Sequence, residues 1–255
     1  MGLWKGGMIT RIGDVYQAPD GRPGSTFAVG ATLENGIKVV VKNVSGIRLA
    51  NEIAAAWVAK QIGLARVAEV RLVDDQEGLL KDIYNGFAGK CFASVFSALP
   101  EFQQPDCYGS LEITKREEFR EIIVFDTLIA NADRQNRNLR WSATDACIFD
   151  HDQAFTGKAW SPVSLSSAVA ATPQSGMFEA LLDFADQNAR AEIMLLANSW
   201  TKAISDTVAQ ELDELMQLSG IDQAHVDALK GFIVTRSANL PCLVQKVLDR
   251  HLPIN

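Results

Sequence analysis

The chain has 255 residues, 47% of them apolar and 22% charged, a composition that suits a water-soluble globular protein with a sizeable core. Its net charge of −7, without any Lys/Arg-rich run, argues against direct nucleic-acid binding and against an anionic membrane surface. No stretch reaches the ~20 uninterrupted apolar residues of a membrane span, and residues 1–7 lack a signal-peptide core. The 4 cysteines lack paired spacing, which suits reduced thiols and a cytoplasmic setting. The 3 histidines make a His/Cys zinc site improbable, whereas a hard cation such as Mg²⁺, held by carboxylates, stays open.

In chain order, "APDGRPGS" (18–25) is a Gly/Pro-rich loop ending in a hydroxyl. "STFAVGATLENGIKVVVKNV" (25–44) reads as two strands joined at Asn35-Gly36. Alternation sends Lys38, Val40 and Lys42 to one face, and Ile37, Val39 and Val41 to the other. A cleft-facing lysine is therefore Lys42, Lys38 or both. In "IRLANEIAAAWVAKQIG" (47–63), Leu49, Ile53, Ala56, Trp57 and Lys60 recur at helical spacing, with Gly63 as C-cap. "AEVRLV" and "GLLKDIY" read as two further strands around the polar turn Asp74–Gly78, and residues 82–91 lie near an expected hinge.

The remainder is helical: 113–131, then pieces near 176–199, 203–218, 223–236 and 239–251. Phe119, Ile122, Ile123, Phe125, Leu128 and Ile129 give the first of these a broad apolar face, so its end at Asn131 is held firmly. The fold class is α+β, with the composition shifting near 85–110.

"NADRQNRNLRWSATDACIFDHDQAF" (131–155) carries the chemistry. Asp133 and Asn138 stand five apart on a loop after a buried helix, and the short apolar "ACIF" delivers Asp150. Phosphoryl transfer needs such parts: one carboxylate to orient a hydroxyl, and a carboxylate plus a neutral oxygen for the metal. Upstream, Gly21 and Gly24 allow close backbone approach to phosphates, and Ser25 and Thr26 add hydroxyls. Each upstream part has a plainer reading: a turn for the loop, a solvated edge charge for Lys42, and an exposed helix-start carboxylate for Glu52. Their order along the chain favours the phosphate reading.

These stretches, with "VVVKNVSGIRLANEIAAAWVAKQIGL", resemble the HipA-like kinases and, more distantly, the phosphoinositide kinases. The resemblance implies a single kinase-like domain over 1–255, bilobal, with a β-rich N-lobe holding one helix (1–90) and a mostly helical C-lobe (91–255). It makes Lys42 the contact to ATP phosphates, Glu52 its ion-pair partner, Asp133 the catalytic Asp, and Arg134 a support for that loop. Asn138 and Asp150 become Mg²⁺ ligands, and Gly21, Gly24, Ser25 and Thr26 the phosphate-covering loop. Two residues depart from the pattern: Gln135 stands where His is frequent, and Asp152 replaces the glycine of Asp-His-Gly. Asp152 either joins a second metal or faces solvent, the latter being the expectation.

The function so implied is an ATP- and Mg²⁺-dependent kinase acting on a hydroxyl, most simply Ser/Thr of a protein, with an antitoxin partner in the toxin branch. The alternatives are a small-molecule or lipid kinase, and a catalytically inactive kinase fold serving as a binding module. Self-phosphorylation of Ser25 or Thr26 is a further implication, set against a plain turn hydroxyl.

Overall fold

The computed structural model describes residues 8–16, 28–81, 83, 89–95, 116–135, 138–141, 146–173, 179, 182–183, 185–201, 203–205 and 211–250. The fold is α+β and kinase-like. Two compact units emerge: residues 1–45 with 68–101, and residues 46–67 with 102–255.

The first unit is an antiparallel sheet of β1 (Ile9–Tyr16), β2 (Ala28–Leu33), β3 (Lys38–Lys42), β4 (Val70–Asp75) and β5 (Gly89–Val95), in the order β1-β2-β3-β5-β4. The β1–β2 register shifts between Ile9 and Arg11 and between Ile12 and Val15. Ile9, Val29, Leu33, Val39, Val41 and Val73 are the buried heart of its core. The β2–β3 hairpin closes as its sequence demands. Gly36 takes φ +80°, and the Asn35 side chain accepts the Ile37 N–H at 3.1 Å. Along β3 the alternation holds at its start: Lys38 is exposed while Val39 and Val41 are buried.

"GLLKDIY" is the correction in this unit. Residues 79–81 and 83 turn rather than extend. The Asp75 carboxylate accepts the N–H groups of Leu79 (2.8 Å) and Leu80 (2.9 Å), which commits those donors to a turn. The strand beside β4 is β5 instead, and it runs across residues 90 and 91.

The second unit comprises α1 (Gly46–Gln61), α2 (Glu117–Leu128), β6 (Leu139–Trp141), β7 (Ala146–Ile148), α3 (Pro162–Ser167), α4 (Gln187–Trp200), α5 (Glu211–Met216) with a 3₁₀ turn Gln217–Ser219, α6 (Gln223–Ala238) and α7 (Leu240–Asp249). The helix expected over 47–63 thus groups with the helical unit. Gly63, at φ +74°, ends its last turn as anticipated. Residues Leu49–Ala59 of α1 are buried without interruption, including Asn51 and Glu52. Most of α2 is buried as well, with Ile122–Leu128 continuous.

Arg236 of α6 seals the end of α2. Its guanidinium donates to the carbonyls of Thr127 and Leu128, where α2 leaves backbone acceptors without intrahelical partners, and to Val169 and Ala171. Burial lowers the Arg236 pKa to about 9, which still leaves it charged at neutral pH. Its positive charge complements the negative end of the helix dipole.

Candidate active site

The loop after α2 is built from its own polar side chains. Ala130 turns left-handed at φ +48°. Asn131 then stitches the helix end to the loop: its Nδ2 donates to Asp126 Oδ1 (3.0 Å) and its Oδ1 accepts the Asp133 N–H (3.2 Å). Arg134 sits beneath, fully buried, with Nε and Nη2 donating to the two Asp126 carboxylate oxygens at 2.8 and 2.9 Å. This bidentate geometry is the strong form of an ion pair. The same guanidinium donates to the carbonyls of Asn138 (3.0 Å) and Phe149 (3.3 Å). One side chain therefore ties together α2, the Asp133 loop and the residue preceding Asp150.

Asp133 is half-buried, and the side-chain amides of Gln135 and Gln153 donate to its two carboxylate oxygens. Asn138 donates through Nδ2 to the Asp133 carbonyl at 2.8 Å. A carbonyl only accepts, so that bond fixes the amide's orientation and leaves Oδ1 as its acceptor atom. The Gln135 that replaces a frequent His thus supports Asp133 directly.

The two-stranded β6–β7 ladder delivers Asp150, with β7 secured by the Ile148 N–H to the Arg66 carbonyl at 2.8 Å. Phe149 donates its N–H to the Asn138 carbonyl at 3.2 Å, bringing the Asn138 and Asp150 stations together. Asp150 itself is left-handed, φ +62°, a conformation Asp tolerates better than most residues but at some cost. His151 follows, buried, with Nε2 accepting from Arg134 Nη2 at 3.1 Å. Arginine only donates, so Nε2 is the accepting nitrogen of that contact. Its backbone N–H goes to Glu52 Oε2 at 3.0 Å.

Glu52 is therefore buried at 2% exposure and holds the backbone next to Asp150, unlike an exposed helix-start carboxylate. Asp152 overturns the solvent expectation. It is buried at 4% exposure, and Oδ2 accepts from Arg48 Nε (2.8 Å) and Nη2. Asn51 completes the set, donating to the carbonyls of Asp152 and Gly157, each at 2.9 Å, and accepting Trp160 Nε1–H at 3.0 Å.

The expected Glu52, Asp133, Arg134 and Asn138 fall in this one hydrogen-bonded network of the helical unit, and its bonds to Phe149 and His151 flank Asp150. Lys42 closes β3 in the sheet unit, buried, with Ala28 and Phe92 as register partners. Gly21, Gly24, Ser25 and Thr26 lie outside the described residues. Asp126, Arg48, Asn51 and Gln153 were not singled out for roles by the sequence. A lone Asp inside "IIVFDTLI" and Asn-Glu inside "LANEIAAAW" were the available signals, since polar groups in apolar runs need partners.

Among the described residues no group of three or more His, Cys, Asp or Glu is placed to hold a metal. A pair of hard oxygens, Asp150 carboxylate and Asn138 Oδ1, is what a phosphate-bound Mg²⁺ or Mn²⁺ takes from protein, the nucleotide and water supplying the rest. The donor set fits such an ion.

Sheet unit, helical unit and acidic loop together define a kinase-like fold. A Helicobacter pylori proinflammatory kinase, CtkA, superposes with a TM-score of 0.61 at 13% identity, covering 97% of this chain and 99% of that one. A Golgi casein kinase with Mn and ADP bound superposes with a TM-score of 0.50 at 12% identity, covering 96% of this chain and 75% of that one. No curated protein matches by sequence. The sequence model of the HipA-like kinases matches residues 25–227, most of the chain, and the protein belongs to that family.

Proposed function

We propose that the protein is an ATP- and Mg²⁺-dependent kinase that phosphorylates Ser/Thr hydroxyls of another protein. One observation carries this reading: Asp133, Asn138 and the two residues flanking Asp150, Phe149 through its carbonyl and His151 through its ring, share a single hydrogen-bonded network centred on Arg134. Positioning and charge stabilisation supply most of the acceleration in phosphoryl transfer, and such a network supplies positioning.

In this reading Asp133 orients the acceptor hydroxyl and takes its proton, while the Gln135 and Gln153 amides hold its carboxylate in place. Asp150 and Asn138 hold the metal. When bound, Mg²⁺ neutralises the negative charge of the β- and γ-phosphates. Lys42 contacts the nucleotide phosphates, and Gly21, Gly24, Ser25 and Thr26 cover them. The Mn and ADP of the Golgi casein kinase support nucleotide and divalent-metal use by this fold. A restraining protein partner of the antitoxin kind and a cytoplasmic location belong to the same proposal. Among the described residues no helix is long and apolar enough to cross a membrane.

The test is transfer of labelled γ-phosphate from Mg-ATP to separate acceptors: a protein mixture, aminoglycosides and phosphoinositide vesicles. Phosphoserine or phosphothreonine in protein is the expected product. Label confined to a small molecule or lipid would overturn the acceptor assignment, and no transfer to any acceptor would favour a binding module.

A further inference from the structure

Three residues on one face of α1 grip the backbone that follows Asp150. Arg48, Asn51 and Glu52 stand at i, i+3 and i+4, so their side chains emerge side by side. Glu52 takes the His151 N–H, Arg48 takes the Asp152 carboxylate, and Asn51 takes the carbonyls of Asp152 and Gly157. These four contacts fall within residues 151–157, directly after a left-handed Asp150. A non-glycine residue in that conformation persists only where its surroundings over-determine it.

The Arg48–Asp152 pair is also sheltered, with side-chain exposures of 25% and 6%, so solvent screens it less than an ordinary surface pair. Arg48 Nε and Nη2 both converge on Asp152 Oδ2, which binds that oxygen to α1.

We propose that Arg48 and Asp152 are a positioning pair: they lock residues 150–152 in the conformation that presents Asp150 to the metal, without Asp152 ligating it. This deepens the kinase reading and rests on Asp150 being the metal ligand. The glycine of the family's Asp-His-Gly is flexible, and here a charged clamp from α1 replaces flexibility with a fixed backbone.

The probe is Mn²⁺ with ADP, added to the full chain. The half-saturating Mn²⁺ concentration at saturating ADP is measured by calorimetry, and exchange of the His151 amide is followed by hydrogen exchange. Arg48→Met and Asp152→Asn should each raise that concentration about 10–100-fold, the usual effect of losing a support behind a metal ligand. Metal-free ADP affinity should not change, and His151 exchange should speed up. The double variant should be no worse than the poorer single one, because the two residues act as a unit. Arg48→Lys, which keeps the charge but loses the fork, should fall between, and it serves if the Met variant does not fold.

A lowered melting temperature with unchanged metal dependence in both variants would overturn the proposal, leaving the pair merely structural. Loss of metal affinity in Asp152→Asn but not in Arg48→Met or Arg48→Lys would overturn it in favour of Asp152 as a ligand. Metal-independent ADP binding by the wild-type chain would instead sink the underlying kinase reading, whatever the variants do.

Discussion

Arg134 and Asp126 form a wholly buried bidentate ion pair, with both side chains at 0% exposure. Desolvating two charges is costly, so the pair is weak evidence for stability in itself, but orphaning either member is worse. Arg134→Met should destabilise the chain by about 3–5 kcal/mol in urea unfolding, because it strands the buried Asp126 charge and removes the Arg134 donor from the Phe149 carbonyl. The double variant Arg134→Met with Asp126→Leu should recover part of that loss. An equal or greater loss in the double variant would show that the pair is not the relevant unit.

Asn51 satisfies two carbonyls and an indole N–H from a position within a buried helix. Asn51→Ala leaves all three without that partner, and each buried group so stranded costs about 1–3 kcal/mol. A fall in melting temperature of about 6 °C or more is expected, from a loss of at least about 3 kcal/mol at about 2–4 °C per kcal/mol for a chain of this size. Asn51→Asp should also be poor, since a carboxylate cannot donate to the Asp152 and Gly157 carbonyls. A melting point unchanged in Asn51→Ala would refute this role.

Burial acts to raise the pKa of Glu118, but the Arg116 hydrogen bond at 2.8 Å leads the opposing effects, and the net result lies below the ordinary 4.5. A carboxyl lowered on folding gives the unfolded chain more bound protons, so its contribution is full above the unfolded value. It disappears as pH falls through the folded one. The group remains partly solvated, so Glu118→Gln should cost under about 1 kcal/mol at neutral pH. The gap between wild type and variant should close as urea unfolding is repeated from about pH 5 to about pH 3. A gap that widens on acidification would reverse the sign.

Cys91 is buried in the sheet core, and that burial, with Asp75 and Asp74 adding repulsion, pushes its thiol up to about 12. The thiolate is the reactive form, so Cys91 should resist alkylation in native protein near pH 8 while exposed Cys242 reacts. Peptide mapping after brief labelling reads this directly. Labelling of Cys91 as fast as Cys242 would show that the sheet opens.

Much of this was legible because it is local. Asn35-Gly36 specified a hairpin, the apolar periodicity of 47–63 specified α1, and "ACIF" specified the strand before Asp150. The turn after Asp75 was not legible, since a carboxylate capturing two N–H groups competes with a β-propensity pattern that still reads as a strand. The polar supports were hidden for another reason. Arg48 and Asp152, Asn51 and Gly157, and Glu52 and His151 are about a hundred residues apart in sequence. No periodicity links such pairs, and only folding brings them together. Asp152 looked solvated because a carboxylate without a visible partner usually is.

The central claim is that Asp133 and Asp150 do different jobs in one phosphoryl-transfer site. The most direct measurement is Mg²⁺-dependent transfer of the ATP γ-phosphate to a protein acceptor by wild type, Asp133→Asn and Asp150→Asn, alongside metal-dependent nucleotide binding. Each variant should lose at least about 100-fold in transfer. Asp133→Asn should keep metal-dependent binding, and Asp150→Asn should lose it. Wild-type transfer rates in both variants would contradict the account.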